Sequence, residues 1–278
     1  FDPFYSMVPM FIALIYRKKV VLAPRGEFSE GALRLKALKK RLYLRVFRLF
    51  GFKNRVHWHA TNHHELTSIE HALGTLKYYN VANNISFPPK EKWEIKPKHK
   101  HVDLYFLARI DRKKNLRFAL EVLSQVPCET QYSIYGPIDD AVYWEECLSV
   151  INSLPSHIQV NYMGAIDHSK TKEIIAQHDA LFLPTLGENF GHSIAESLSE
   201  GVPVIISDQT PWGNLKESGA GWELPLESIE EYVRVITLWH NMSDDEFQRL
   251  RATTFQYYQD RYQRDNNELL KTFKEIFR

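Results

Sequence analysis

The sequence predicts an α/β protein of two domains, each a doubly wound parallel sheet, the first of them incomplete. Three observations carry this expectation. Between residues 102 and 206, short apolar runs alternate strictly with helical patterns, as in βα units stacked into a parallel sheet. The charged, Pro-bearing stretch Pro88-Pro89-Lys90-Glu91-Lys92 and Lys96-Pro97-Lys98-His99-Lys100 reads as a linker. Charge divides at the same place: residues 1–100 hold 19 Lys and Arg against 7 Asp and Glu, a net +12, and residues 101–278 hold 16 against 27, a net −11. Segments so different in charge suit different partners, an anionic one for the first. The expected domains are 1–97 and 98–278, the last helix returning toward the first domain.

In chain order, the apolar run Phe4–Tyr16 reads as a helix. Ser6 and Pro9 interrupt it, and it is too short to span a bilayer of about 30 Å. Val20–Ala23 reads as a strand, Gly31–Phe50 as a long helix, Val56–Ala60 as a strand, His63–Leu73 as a helix and Val81–Phe87 as a short strand. Beyond the linker come strand Val102–Ala108, helix Asn115–Gln125, strand Gln131–Tyr135, helix Ala141–Leu154, strand Ile158–Met163 and helix Lys170–Gln177. Strand Ala180–Leu183, helix His192–Leu198 and strand Val202–Ile206 follow. The tail reads as three helices, Ile229–His240, Asp244–Tyr258 and Asn266–Phe277. A chain that opens on Phe1 and on a hydrophobic helix in need of a sheet reads as N-terminally truncated, lacking two or three βα units of about 30 residues each.

A chain of 278 residues, 44% hydrophobic and 25% charged, has ample material for packed cores, which excludes disorder. Its only cysteines, Cys128 and Cys147, form no spacing motif. That suits a reducing compartment, hence a cytoplasmic protein, and gives no sign of a disulfide framework or of a structural zinc built on thiolates. His57, His59, His63, His64 and His71 match no standard zinc spacing either. Between Leu33 and Arg55 stand nine basic residues and no acidic one, with Leu35, Leu38, Leu42, Val46 and Leu49 at helical spacing. Such a helix either packs on a core with a solvated basic face or docks on anionic lipid headgroups, and the second reading is preferred here. No nucleic-acid reading module accompanies it.

The densest chemistry lies in Pro184-Thr185-Leu186-Gly187-Glu188-Asn189-Phe190-Gly191-His192-Ser193-Ile194-Ala195-Glu196. Here a strand ends, a Gly-containing loop turns, and a helix begins whose first N–H groups can meet an anion. Glu188 falls at the C-terminal edge of the sheet, where open α/β folds bind ligands, and Glu196 in the second helical turn. The first strand of this domain delivers Leu107-Ala108-Arg109-Ile110-Asp111-Arg112-Lys113-Lys114 to the same edge. Arg109 and Lys114 could bracket a diphosphate there, or be part of a solvated charge run. Glu188 and Glu196 taken singly could equally be ordinary surface carboxylates.

With Arg109 and Lys114, Glu188-Asn189-Phe190-Gly191, Glu196 and Glu200-Gly201-Val202-Pro203-Val204-Ile205-Ile206 in this order, the chain resembles the retaining family-4 glycosyltransferases of GT-B architecture (glycosyl transferases group 1), of the bacterial surface-polysaccharide type. The resemblance implies that Arg109 and Lys114 hold the donor diphosphate, Glu188 the hydroxyls of the transferred sugar and Glu196 the nucleotide ribose. Backbone N–H groups of Phe190, Gly191, His192 and Ser193, beside Asn189, would complete these contacts. Gly136, and Gly164 with Ile166, would let nucleotide and base approach the backbone. In the first domain Pro24-Arg25-Gly26 stands where many members end a loop in His-Gly or His-Thr, so whether Arg25 touches substrate is open. Arg25, Gly26, Thr61 and Asn62 are candidate cleft contacts.

The resemblance thus implies a hexosyltransferase that moves a sugar, from a UDP-linked donor ahead of a GDP-linked one, onto a polysaccharide or lipid-linked glycan. No Asp-x-Asp is present, so no metal and no other cofactor is expected; side-chain cations would take the metal's place. The expected location is peripheral, on the inner face of the cell membrane. The alternative is a donor-binding half or inactive remnant that needs a partner chain for its acceptor site.

Overall fold

The computed structural model describes residues 7–28, 33, 37–61, 63–81, 87–90 and 95–277. The chain forms two compact units, one of residues 1–85 with 263–278 and one of residues 86–262.

The first unit carries a three-stranded parallel sheet in the order β1 (Val21–Leu22), β2 (His57–Ala60), β3 (Tyr79–Val81). Around it lie α1 (Val8–Ile15), α2 (Ala37–Leu49) and α3 (His63–Leu73). Its core is aromatic. Trp58, at the centre of β2, is fully buried, and Phe47 and Phe28 pack on it with centroids 5.6 and 5.9 Å away. On α2 the core contacts come chiefly from aromatic residues. Phe47 is buried and Tyr43 and Leu44 lie against the core, but Leu42 and Leu49 are 63% and 81% exposed. Arg41 and Arg45 are exposed beside them. Leu35, and the side chains of Leu38 and Val46, fall outside the described residues.

The second unit is a six-stranded, wholly parallel sheet. Its strands are β4 (Val102–Leu107), β5 (Thr130–Tyr135), β6 (Ile158–Gly164), β7 (Ala180–Leu183), β8 (Val204–Ser207) and β9 (Gly221–Leu224), ordered β6-β5-β4-β7-β8-β9. Every residue of β7 and β8 is buried, as strands covered on both faces must be, and their near-continuous apolar runs follow from that. The connecting helices are α4 (Leu116–Leu123), α5 (Ala141–Ile151), α6 (Thr171–Ile175) and α7 (His192–Ser199), and α8 (Ile229–Asn241) follows the last strand. Asp140 caps α5 by accepting the Tyr143 N–H at 3.0 Å, one of the donors a helix start leaves without an intrahelical acceptor.

Three features depart from expectation. A sixth strand, β9, follows Val202–Ile206. The two helices expected within 244–277 are one, α9 (Asp244–Phe277), since the polar stretch between them holds neither Pro nor Gly and is rich in helix-forming Gln and Arg. Third, the expected linker is pinned to the second unit, which begins at Ser86, twelve residues ahead of position 98. Lys90 Nζ meets the buried Glu200 carboxylate at 2.7 Å, Lys96 Nζ donates to the Ala176 carbonyl at 2.7 Å, and Lys98 Nζ to that of His240 at 2.7 Å. Residues 263–278, for their part, group with the first unit.

Beneath the second sheet runs a polar network. Asp103 accepts from His178 Nδ1 at 3.0 Å, His178 Nε2 meets the Tyr135 hydroxyl at 3.0 Å, and Asp179 takes the Asp103 N–H at 3.0 Å and His99 Nδ1 at 2.8 Å. The bond to Asp179 raises the His99 pKa above its ordinary 6.5, against burial and the Arg251 charge. A raised histidine stabilises the fold fully below 6.5 and ceases to as pH climbs through the higher folded value. His99→Asn is therefore expected to lower the thermal midpoint most just below pH 6.5, and its curve should converge on the parent's at alkaline pH. A pH-independent difference would refute the ionic contribution.

Candidate donor-binding site

In the order β6-β5-β4-β7-β8-β9 the chain winds outward in one direction from β4 and in the other from β7, so a crevice opens beyond the carboxyl ends of these two strands. A cavity of about 360 Å³ lies there, within the range of small-molecule sites. Leu107, Ala108 and Arg109 wall it after β4, Gly136 and Pro137 after β5, Ala165 and Ile166 after β6. Glu188, His192, Ser193 and Glu196 close it after β7, with Lys114 opposite.

The loops after β4 and β7 are bonded to one another. The Lys113 carbonyl accepts the Leu186 N–H at 2.8 Å and the Thr185 hydroxyl at 3.0 Å, and Asn115 Nδ2 donates to the Pro184 carbonyl at 3.0 Å. Asn115 manages this turn with φ +59, a left-handed conformation that asparagine tolerates. The result brings Lys114 Nζ directly onto Glu188 Oε1, with both side chains largely buried. Arg109 sits differently. Its guanidinium is 60% exposed at the mouth, held by Asp139 at 2.5 Å and Asp111 at 3.5 Å. Arg112 faces away from the cavity, paired with Glu146 at 2.5 Å.

Glu196 is buried, and desolvation raises its pKa, with His168 and Lys172 acting against the shift. His168 Nδ1 lies 3.5 Å from its carboxylate and is itself exposed. The helix α7 starts at His192 behind Gly191, which takes φ +81, so its first-turn N–H groups lie at the cavity wall formed by His192 and Ser193. Two basic and two acidic side chains thus share the cavity, and an incoming anion must compete with Glu188 for Lys114.

Of the residues selected from sequence, Arg109, Lys114, Gly136, Ile166, Glu188, His192, Ser193 and Glu196 line this cavity together. Phe190 does not; it packs between His192 and Trp212, at 5.0 and 5.7 Å. Asn189, Gly191 and Gly164 are also absent from the wall. Gly136 has a reason independent of any ligand. A Cβ there would stand 1.8 Å from the Ala108 carbonyl oxygen, so the approach of the β4 and β5 loops alone requires glycine. Arg25, Gly26 and Thr61 belong to the first unit. There the buried Glu65 carboxylate accepts the Gly26 N–H at 2.5 Å and the Thr61 N–H and hydroxyl at 2.8 and 2.7 Å. Arg25 is exposed, with φ +55. Asn62 lies outside the described residues.

Sequence reasoning missed His168, Thr171 and Pro137 on the wall, and Glu65 in the first unit. Only Glu65 had a local signal, a glutamate in the first turn of a helix. Neither thiol is an activated nucleophile, because burial raises the pKa of Cys128 and pushes that of Cys147 up to about 11. Among the described residues, no three His, Cys, Asp or Glu side chains converge as metal ligands, and no helix is long and apolar enough to cross a membrane.

A parallel sheet of this order, with cations, carboxylates and a helix N-terminus at its switch point, defines a nucleotide-binding α/β domain of the kind found in GT-B glycosyltransferases. Residues 88–253, more than half of the chain, match the family model of the glycosyl transferases group 1, and the chain belongs to that family. By structure it is similar to Anabaena HepE, solved in complex with UDP and glucose, at a TM-score of 0.73 and 16% identity over 97% of this chain and 75% of that one. It is similar to sucrose-phosphate synthase from Thermosynechococcus elongatus, with a TM-score of 0.68 and 16% identity over 96% and 71% of the two chains. A third is S. aureus TarM, solved with fondaparinux, alpha-GlcNAc-glycerol and UDP, at 0.62 and 14% over 80% and 43%. Likeness at such identities is likeness of fold. No curated protein matches the chain by sequence alone.

Proposed function

We propose that this glycosyltransferase is a retaining family-4 enzyme that moves a sugar from a UDP-linked donor to a polysaccharide or lipid-linked glycan. The observation that carries the reading is the cavity in which Lys114, Glu188, Arg109 and the start of α7 meet. On this reading the diphosphate takes Lys114 and the α7 amides, Arg109 closes on it from the mouth, and Glu188, released from Lys114, accepts from sugar hydroxyls. Glu196 accepts from the ribose. HepE and TarM, each solved with UDP, favour uridine as the nucleoside.

The acceptor oxygen bonds to the anomeric carbon on the face from which the diphosphate oxygen departs, and the acceptor proton passes to that phosphate. Negative charge grows on the leaving group in the transition state, and fixed cations and amides stabilise it in place of a divalent metal. Thermal shift with UDP, followed by transfer or donor hydrolysis in excess chelator, tests the reading. A UDP-dependent rise in midpoint and chelator-resistant turnover are expected. Turnover abolished by chelator and restored by metal would overturn metal independence, no shift with UDP alone would overturn the choice of uridine, and no shift with either UDP or GDP would remove the donor assignment.

The reading extends to the membrane through α2, whose exposed Leu42 and Leu49 stand beside exposed Arg41 and Arg45. Apolar residues reaching into the headgroup layer between cations suit an anionic surface, the inner face of the cell membrane. Sedimentation with anionic vesicles should fall as salt rises. Arg41→Gln with Arg45→Gln should weaken it roughly thirtyfold, at about 1 kcal/mol per cation. Unchanged sedimentation of the double variant would leave α2 as a packing element only.

A further inference from the structure

The segment following β8 touches both ends of the donor loop. The Gln209 carbonyl accepts the Glu188 N–H at 3.1 Å, and three residues later Trp212 Nε1 donates to the Phe190 carbonyl at 2.5 Å. Trp212 is 1% exposed and does not line the cavity. Its indole is clamped. The Arg261 guanidinium lies 4.2 Å from the ring on one side, the Phe190 ring meets it edge-on at 5.7 Å, and Tyr258 stacks at 6.3 Å. Arg261 is fixed in turn by the Pro211 carbonyl at 3.1 Å and the Tyr257 hydroxyl at 3.0 Å. Gly191 fits against this indole: a Cβ there would lie 3.4 Å from Trp212 Nε1 and 2.8 Å from Ile194 Cδ1.

We propose that Trp212 is a positioning residue for donor binding, its indole N–H setting the peptide that begins α7. A trans peptide holds C=O and N–H antiparallel, so anchoring the Phe190 carbonyl on Trp212 turns the Gly191 N–H the opposite way. The same bond fixes the φ +81 turn from which the first amides of α7 are aimed. Glu188 is held by its backbone to the same segment, so the carboxylate assigned to the sugar and the amides assigned to the diphosphate share one template. Arg261 keeps that template in register. Trp212 touches no substrate; it acts through the loop.

The inference rests on the donor-site reading above, and the test separates the two. Isothermal calorimetry compares UDP or GDP, whichever binds the parent, with the matching nucleoside, in the parent, Trp212→Phe and Arg261→Met. Loss of one hydrogen bond that orients charged-ligand donors should cost Trp212→Phe about tenfold in diphosphate affinity, with nucleoside affinity unchanged. Arg261→Met, which keeps the indole N–H, should show a smaller loss of the same kind. Trp212→Phe keeps a large apolar ring, and the thermal midpoint of each variant reports its folding. Equal losses for diphosphate and nucleoside, or no loss, would overturn the positioning role while leaving the donor site standing. Binding of neither diphosphate to the parent would overturn the donor-site reading and this inference with it.

Discussion

Lys114→Ala is expected to weaken binding of a nucleoside diphosphate by about a hundredfold while leaving the nucleoside almost unaffected. A hydrogen bond between charged groups contributes roughly 1.5–3 kcal/mol, and here a second term adds to it. Glu188, deprived of the cation it rests on, would face the incoming phosphates as an uncompensated, largely buried anion. Arg109→Ala should cost less, near tenfold, because Arg109 is exposed and already shared by Asp139 and Asp111. The second term can be isolated. Adding Glu188→Gln to Lys114→Ala should recover part of the lost diphosphate affinity, a coupling that calorimetry on the four-member cycle measures directly. Additive losses would mean that Lys114 and Glu188 do not compete for the same ligand, and equal losses for nucleoside and diphosphate would take Lys114 off the phosphates.

How far the fold could be read ahead depended on what each segment buries. Ala180–Leu183 and Val204–Ser207 announce themselves because strands covered on both faces are continuous apolar runs bounded by turn residues. Gly221–Leu224 does not, since it opens on a glycine and contains Glu223, features that locally mark a turn. The linker misled for a related reason. Lysines and prolines signal a solvated connector, but the ammonium groups of Lys90, Lys96 and Lys98 reach carbonyls and a carboxylate on residues between 80 and 144 positions away. No local pattern encodes such partners.

The site divides in the same way. Its charged residues were legible through the resemblance that their order along two βα loops carries, and the sheet order brings those loops to one cavity. That Lys114 would rest on Glu188, 74 residues later, was not legible, because spacing cannot distinguish two groups that share a ligand from two that neutralise each other. Trp212 was invisible for a stronger reason: its partner is a backbone carbonyl, which any residue at position 190 would supply. On α2 the sequence left open which face packs, and among its described side chains it is Phe47, with Tyr43 and Leu44, that joins the aromatic core around Trp58, while Leu42 and Leu49 stay exposed.

Glu188→Gln is expected to lower kcat/KM for sugar transfer by about a hundredfold while tightening, or at least preserving, the affinity for the free nucleoside diphosphate. The two effects have one origin. The Glu188 carboxylate neutralises Lys114, and a diphosphate must displace it. The amide is nearly isosteric and uncharged, so Lys114 becomes available to phosphate without that competition, and the variant should suffer stronger inhibition by the diphosphate product. Hydroxyls of the donor sugar, in contrast, lose a charged acceptor, and a charge-assisted hydrogen bond is roughly twice as strong as a neutral one. The ratio of nucleotide-sugar to nucleoside-diphosphate affinity should therefore fall even if both ligands bind well. Measuring that ratio by calorimetry, beside product inhibition in a transfer assay, distinguishes this role from a purely structural ion pair. Breaking a structural pair would leave Lys114 uncompensated and lower the thermal midpoint, with the ratio unchanged. An unchanged ratio in a folded variant would remove Glu188 from the sugar and leave it as the partner that keeps Lys114 in place.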